Sequence, residues 1–138
     1  MVMRGSYLLL IELTTDATIT IGKSGVVTFS KGFYVYVGSA LSGLEQRVHR
    51  HLRMKKKRHW HIDYLLQHAN IIDVFYKEST TRDECTLART FEEKFRSVPG
   101  FGCSDCSCRS HLFYGTKQEL LTVIEKVQMV PFTLEANT

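Results

Sequence analysis

The sequence contains no apolar segment long enough to cross a membrane and no region typical of a secretory leader. A membrane helix needs about 20 consecutive apolar residues, and the apolar run at residues 7–13 is far shorter. No small-residue cleavage site follows this run, as one would in a signal peptide. These absences predict a cytoplasmic protein that has no membrane partner.

Cysteine is scarce, with 4 residues in a chain of 138. Without an export signal, the cysteines are expected to be reduced thiols or metal ligands rather than a disulfide scaffold. Three of them share a short segment with a histidine, in the pattern C-x₂-C-x-C-x₂-H: Cys103, Cys106, Cys108 and His111. This pattern predicts a zinc site, although the one-residue gap is awkward for tetrahedral geometry. Two alternatives stay open: one residue of this segment lines a functional cleft (Asp105, Arg109, Ser110 or His111), or the thiols are small buried groups in a loop packed against the sheet.

Acidic residues are absent from residues 47–61, which hold seven Lys or Arg and four His. The net charge of the whole chain is only +4, so the charge is concentrated rather than large. A local basic cluster attracts phosphate groups whatever the net charge of the molecule. We therefore predict a nucleic-acid-binding surface composed of Arg50, Arg53, Lys55, Lys56, Lys57 and Arg58.

The hydrophobic pattern predicts one α+β domain over residues 1–138, with an irregular tail at 131–138. Strands are predicted at 6–13, 17–21, 26–29, 32–37, 71–76 and 112–114, and the second and third form an N-terminal hairpin around Gly25. Helices are predicted from 43 to about 54, at 59–66, at 81–95 and from 117 to 127, the last capped by Thr116. This order favours a small central antiparallel or mixed sheet flanked by helices.

The segment from residue 33 to residue 52 carries the main candidate site. Its strand presents Tyr36 just before Gly38, which we interpret as a tight turn. A helix follows, for which Ser42 is the predicted cap, and Arg47 and His51 lie on one side of it because they are four residues apart. A tyrosine, an arginine and a histidine in this arrangement can converge on one anion, so the segment predicts a phosphate site.

The motif Tyr36-Val37-Gly38, followed by Arg47 and His51 and preceded by Gly5-Ser6-Tyr7, resembles the GIY-YIG nuclease family. More narrowly, it resembles a small, mostly archaeal branch whose members are sometimes fused to a glycosylase of the endonuclease III type. Ser6 departs from the aliphatic residue usual at its position, and the hairpin lengthens the spacing between the two tyrosine motifs. The resemblance implies a DNA partner, with a DNA-repair glycosylase as a candidate protein partner.

The resemblance also implies an activity, which is metal-dependent endonuclease cleavage of DNA phosphodiester bonds in repair or DNA processing. In this family Tyr7 or Tyr36 would activate water, Arg47 would hold the phosphate, and His51 would assist. Glu84 would hold one Mg²⁺ or Mn²⁺ ion, and the alternative carboxylates for this role are Asp83, Glu92 and Glu93. The position of Glu84 three residues after Thr81 also fits the simpler role of a helix cap.

The missing asparagine of the resembled family and the cysteine segment leave other functions open. The family has an asparagine after its glutamate, whereas this chain has only Asn70, which precedes Glu84, and Asn137 in the tail. A non-catalytic nucleic-acid-binding module is therefore one alternative, and a structural metal-binding protein centred on the cysteine segment is another.

His59 and His61 flank a tryptophan and are candidates for the far side of the cleft.

Overall fold

The computed structural model describes residues 4–22, 25–40, 43–53, 61–79, 84–99, 101 and 110–132. Its fold is α+β, as predicted, and the N-terminal hairpin is present. The strands are β1 (Gly5–Leu13), β2 (Ala17–Thr20), β3 (Val26–Phe29), β4 (Gly32–Ala40), β5 (Asn70–Glu78), β6 (Arg96–Ser97), β7 (Leu112–Gly115) and β8 (Val130–Pro131). The helices are α1 (Leu44–Leu52), α2 (His61–Leu65), α3 (Glu84–Glu92) and α4 (Lys117–Lys126).

Six of these strands form one sheet in the order β6-β7-β4-β1-β5-β8, and every pair of neighbours is antiparallel. Strand β1 lies inside the sheet and pairs along its length with both β4 and β5. The hairpin of β2 and β3 is a separate two-stranded sheet. The predicted central sheet is therefore confirmed, and it is antiparallel rather than mixed.

Both faces of the central sheet are covered, which explains why β1 is apolar almost throughout. Successive side chains of a strand point to opposite faces. Leu9 and Ile11 pack in a cluster with the hairpin, α1 and α2. Leu8 and Leu10 pack in a second cluster with α3 and α4. The sheet is therefore the middle layer of three, and each face has its own core.

The predicted boundaries differ from the observed ones mainly around the candidate site. Strand β4 runs through Gly38 to Ala40, so the prediction of a glycine turn is wrong. Helix α1 begins at Leu44, and Gly43 at its N-cap provides no side-chain hydrogen bond. The strand continues because the backbone of Gly38 stays in the ladder opposite Tyr7.

The C-terminal half agrees in outline and differs in detail. The Thr116 cap of α4 is confirmed, because its hydroxyl accepts a hydrogen bond from the Glu119 backbone N–H at 3.2 Å. Helix α3 ends at Glu92 rather than at residue 95. Strands β6 and β8 were not predicted, since a two-residue strand has no measurable periodicity.

No helix in the described part of the chain has the length and apolar character needed to cross a membrane. Several predicted positions lie outside the described residues: Ser42, Lys55, Lys56, Lys57, Arg58, His59, Thr81, Asp83, Cys103, Asp105, Cys106, Cys108 and Arg109.

Candidate active site

Tyr7 and Tyr36 lie on the same face of the central sheet because of the register between β1 and β4. Tyr7 is paired with Gly38, and Tyr36 is two residues before that glycine, so both side chains point to the same side. Their ring centroids are 6.5 Å apart, and both rings are buried. The structure therefore brings together two tyrosines that are 29 residues apart in the sequence.

Gly38 gives the ring of Tyr7 room to cross β4. A Cβ atom on Gly38 would overlap that ring, and its distance to Cε1 would be only 2.7 Å. Real Cβ contacts essentially never fall below 3.0 Å. The glycine is needed at this position for space, and the space is filled by Tyr7.

Helix α1 supplies the next two groups. Leu44 and Val48 bury its apolar side against the sheet, and this orientation turns the neighbouring row of Arg47 and His51 toward the tyrosines. Nε2 of His51 is 2.7 Å from the Tyr7 hydroxyl, and both residues are buried. The Arg47 guanidinium donates to the Ser39 carbonyl oxygen at 3.1 Å and also hydrogen-bonds to the Tyr7 side chain.

The Tyr7 hydroxyl therefore interacts with the guanidinium of Arg47 as well as with the imidazole of His51. Burial raises the pKa of Tyr7 above its usual value of 10, and the positive charge of Arg47 only partly opposes this effect. A protonated phenol beside His51 can donate its proton to the neutral Nε2 and accept a hydrogen bond from Arg47. Burial likewise raises the pKa of Tyr36, and the nearby Tyr7 and Glu84 raise it further.

Glu84 approaches the site from the opposite layer. It begins α3 and is buried, and its negative charge raises the pKa of both Tyr7 and Tyr36. In the part of the chain that the structure describes, β7 pairs with β4 as far as Tyr36. His111, directly before β7, is also held against β4, because its carbonyl accepts a hydrogen bond from the Val37 backbone N–H.

His111 is the residue beside Glu84. Its Nδ1 is 3.8 Å from Oε2 of Glu84, and both side chains are buried. Within the described residues, no group of three or more His, Cys, Asp or Glu side chains is arranged to hold a metal. A Mg²⁺ ion commonly takes one or two carboxylates and completes its shell with water and substrate phosphate oxygens. The buried carboxylate of Glu84 fits that mode of binding.

Asp63 is a residue that the sequence did not single out. It is 0% exposed, and its two oxygens each accept a hydrogen bond from Arg50 at 2.9 Å. This ion pair joins α2 to α1 one residue before His51. Asp63 is the first acidic residue after the basic segment, and that position was the one signal in the sequence that could have identified it.

The ion pair changes the interpretation of Arg50. We predicted that Arg50 would bind nucleic acid, but its guanidinium is held by Asp63 and its side chain is only 20% exposed. Arg53, which was assigned to the same surface, is exposed at the end of α1.

The remaining predicted residues lie around the edge of the site. The His61 ring packs on Phe101 with centroids 5.6 Å apart, and Phe101 in turn packs on Tyr36 at 6.2 Å. His61 is thus one aromatic ring away from the tyrosine pair. Ser110 uses its hydroxyl locally, because it donates to the Leu112 carbonyl at 3.1 Å and accepts from the Leu112 N–H at 3.0 Å.

Comparison with known proteins gives one assignment. No curated protein and no solved structure matches the chain. A protein-family model described as "Domain of unknown function DUF123" matches residues 6–130, which include every described residue of the site. The chain therefore belongs to the DUF123 family.

Proposed function

We propose that this protein is a metal-dependent endonuclease of the GIY-YIG kind that hydrolyses phosphodiester bonds in DNA. One observation carries the proposal: the buried hydroxyl of Tyr7 lies 2.7 Å from Nε2 of His51 and hydrogen-bonds to Arg47. A phenol that only fills a core needs one partner for its hydroxyl. Here the phenol has both a proton acceptor and a cation, which is the arrangement that proton transfer requires.

The proposed reaction uses these groups in order. The oxygen of a water molecule attacks phosphorus while its proton passes to the Tyr7 oxygen, and Tyr7 gives its own proton to Nε2 of His51. The P–O bond to the leaving oxygen breaks, and that oxygen is protonated by solvent. Arg47 offers a planar pair of N–H donors to the phosphate oxygens. Such fixed donors stabilise the charge that develops in the transition state.

Glu84 is the proposed ligand of the divalent cation, Mg²⁺ or Mn²⁺. When bound, the ion would neutralise negative charge on the phosphate and on the leaving oxygen. The negative charge of Glu84 contributes to the raised pKa of both tyrosines, so the carboxylate acts electrostatically on the same two phenols, which supports the proposed role.

The DNA substrate is proposed to lie along the basic side of the molecule. Arg53 is exposed at the end of α1, directly before the basic residues 55–58. Contacts of this kind bind phosphates without reading the sequence. We therefore propose that the protein selects the shape of its substrate, such as a branch, flap or nick, and that it acts in DNA repair or processing.

Cleavage of branched, flapped and nicked DNA in the presence of Mg²⁺ or Mn²⁺ tests the proposal. We expect Tyr7→Phe, which removes only the hydroxyl, to be nearly inactive while its DNA affinity is unchanged. Arg47→Ala should lower the rate on the order of 10²-fold, as the loss of one preorganised donor commonly does. Glu84→Gln should abolish cleavage because it removes the charge that holds the cation.

Tyr34→Phe is the matched control. Tyr34 is on the same strand and the same face as Tyr36, but its hydroxyl donates to the Ser30 carbonyl at 2.6 Å and takes no part in the site. Its cleavage rate should equal that of the wild type. If Tyr34→Phe and Tyr7→Phe lose activity equally, the assignment of Tyr7 is wrong.

A non-catalytic DNA-binding module is the second candidate function. The sequence favours it in one respect, because no asparagine occurs between Glu84 and the tail. Wild-type protein that binds these DNA structures well and cuts none of them would establish this function in place of the first.

A further inference from the structure

Glu84 and His111 form a buried pair of side chains of types that can bind metal ions, and the backbone of His111 is hydrogen-bonded to Val37 of β4. Nδ1 of His111 and Oε2 of Glu84 are 3.8 Å apart. This separation is too long for a hydrogen bond. It does suit two donors that share one ion, because ligands about 2.1 Å from a metal lie roughly 3 to 4.3 Å from each other, depending on the angle between them.

The backbone around each of the two residues is anchored in the fold. The His111 N–H donates to the Phe101 carbonyl at 2.9 Å, and the His111 carbonyl accepts from the Val37 N–H at 2.9 Å. On the other side, Leu87 and Ala88 anchor the first turn of α3 in the core beneath Glu84. The two donors are therefore positioned before any ion arrives, which lowers the entropic cost of binding.

We infer that Glu84 and His111 together bind one divalent cation, and that the imidazole makes this site select Mn²⁺ over Mg²⁺. The inference deepens the proposed function and rests on it for the role of the ion. Mg²⁺ prefers oxygen ligands and gives up water reluctantly. Mn²⁺ shares this preference for carboxylate and water, but as a first-row transition ion it also gains some affinity from an imidazole nitrogen, which adds little for Mg²⁺.

The pair also has a simpler interpretation, in which a protonated His111 neutralises Glu84. In that case His111 contributes nothing to metal selectivity, and its removal would leave the relative affinities of the two ions unchanged. The two interpretations therefore differ in a quantity that can be measured without DNA.

The test is a titration of the full chain with Mn²⁺, followed by electron paramagnetic resonance of the free ion, with Mg²⁺ as the competitor. Mn²⁺ is the appropriate probe because thiolates prefer softer metals, so the cysteine segment does not compete for it. We expect the wild type to bind one Mn²⁺ ion and to require at least a 10-fold excess of Mg²⁺ to release it.

Two variants separate the two donors. His111→Gln keeps a polar side chain but removes the imidazole, and it should weaken Mn²⁺ binding on the order of 10-fold and abolish the preference over Mg²⁺. Glu84→Gln should lose both ions. His68→Gln removes an exposed histidine outside the site and should bind as the wild type does. Far-ultraviolet circular dichroism confirms that each variant is folded.

The inference is overturned if His111→Gln keeps the wild-type preference for Mn²⁺, or if the wild type binds no Mn²⁺ in the absence of DNA. Its failure is distinct from failure of the nuclease proposal. Protein that binds Mn²⁺ through both residues and cuts no DNA would retain the metal site and lose the proposed activity. If the protein cuts DNA while His111→Gln keeps the wild-type metal preference, the nuclease proposal stands and the role of His111 in the metal site is wrong.

Discussion

The ring of Tyr7 occupies the space that a side chain at position 38 would need, so the two residues that face each other across β1 and β4 depend on each other. A ring crossing the neighbouring strand is what allows the Tyr7 hydroxyl to reach His51 on α1. Gly38 of one motif therefore provides the space that Tyr7 of the other motif fills.

This dependence predicts the effect of Gly38→Ala. The added methyl group should push the Tyr7 ring out of place, lower the free energy of unfolding by about 1–3 kcal/mol, as overpacking does, and break the hydrogen bond to His51. Urea denaturation measures the first effect, and the ¹⁵N shift of His51 Nε2 measures the second. Ser39→Ala, at the adjacent position on the opposite face, should change neither. An unshifted Nε2 signal in Gly38→Ala would contradict the prediction.

The Arg50–Asp63 ion pair predicts unequal costs for removing its two members. Arg50→Ala removes the guanidinium that pairs with the Asp63 carboxylate, which is 0% exposed. Breaking a buried ion pair in this way lowers the free energy of unfolding by about 3–5 kcal/mol. Asp63→Asn should cost less, because the Arg50 side chain is 20% exposed and can reach water. Urea denaturation of both variants at neutral pH checks the order. If the two variants lose equal free energy of unfolding, or Asp63→Asn loses more, the burial of each partner does not set the cost of removing the other.

The buried tyrosines predict that the protein loses stability at high pH. Below pH 10 each phenol is protonated in both the folded and the unfolded chain, so this contribution is constant. Above pH 10 the unfolded chain ionises while Tyr7 and Tyr36 stay neutral, because burial raises their pKa. The pKa of Tyr34 is also raised, to about 12.

Each phenol that ionises only in the unfolded chain should lower the free energy of unfolding by about 1.4 kcal/mol per pH unit. Urea denaturation between pH 9 and pH 11.5 measures this slope. Tyr7→Phe and Tyr36→Phe should each flatten it. A slope that neither substitution changes would mean that these phenols ionise as easily in the folded protein as in the unfolded chain.

The basic segment predicts that DNA binding depends on salt. Each phosphate contact contributes about −0.9 to the slope of log affinity against log salt concentration for duplex DNA. Replacing Lys55, Lys56 and Lys57 with alanine should flatten the slope and weaken binding to all sequences alike. The matched control is a triple alanine variant of three exposed lysines in α4 or shortly after α3: Lys94, Lys117 and Lys126. If both triple variants lose DNA affinity equally, binding depends on the net charge of the protein and not on the position of the lysines.

Local pattern in the sequence was enough to predict most of the fold. Strand β1, the hairpin of β2 and β3, and the Thr116 cap of α4 each depend on neighbours within a few residues. Period-2 and period-3.6 patterns report which side of an element is apolar. The row of Arg47 and His51 beside the apolar side of α1 was predicted for the same reason.

The tertiary structure alone decided how the site is assembled. The role of Gly38 as space for Tyr7, the pairing of Asp63 with Arg50, and the approach of Glu84 to His111 all join residues distant in sequence. Strand register and the packing of three layers set these contacts, and no local periodicity contains that information. The sequence by itself determined the elements and the types of side chain. Only the folded sheet, through the register of its strands and the helices packed on both of its faces, determined which side chains meet.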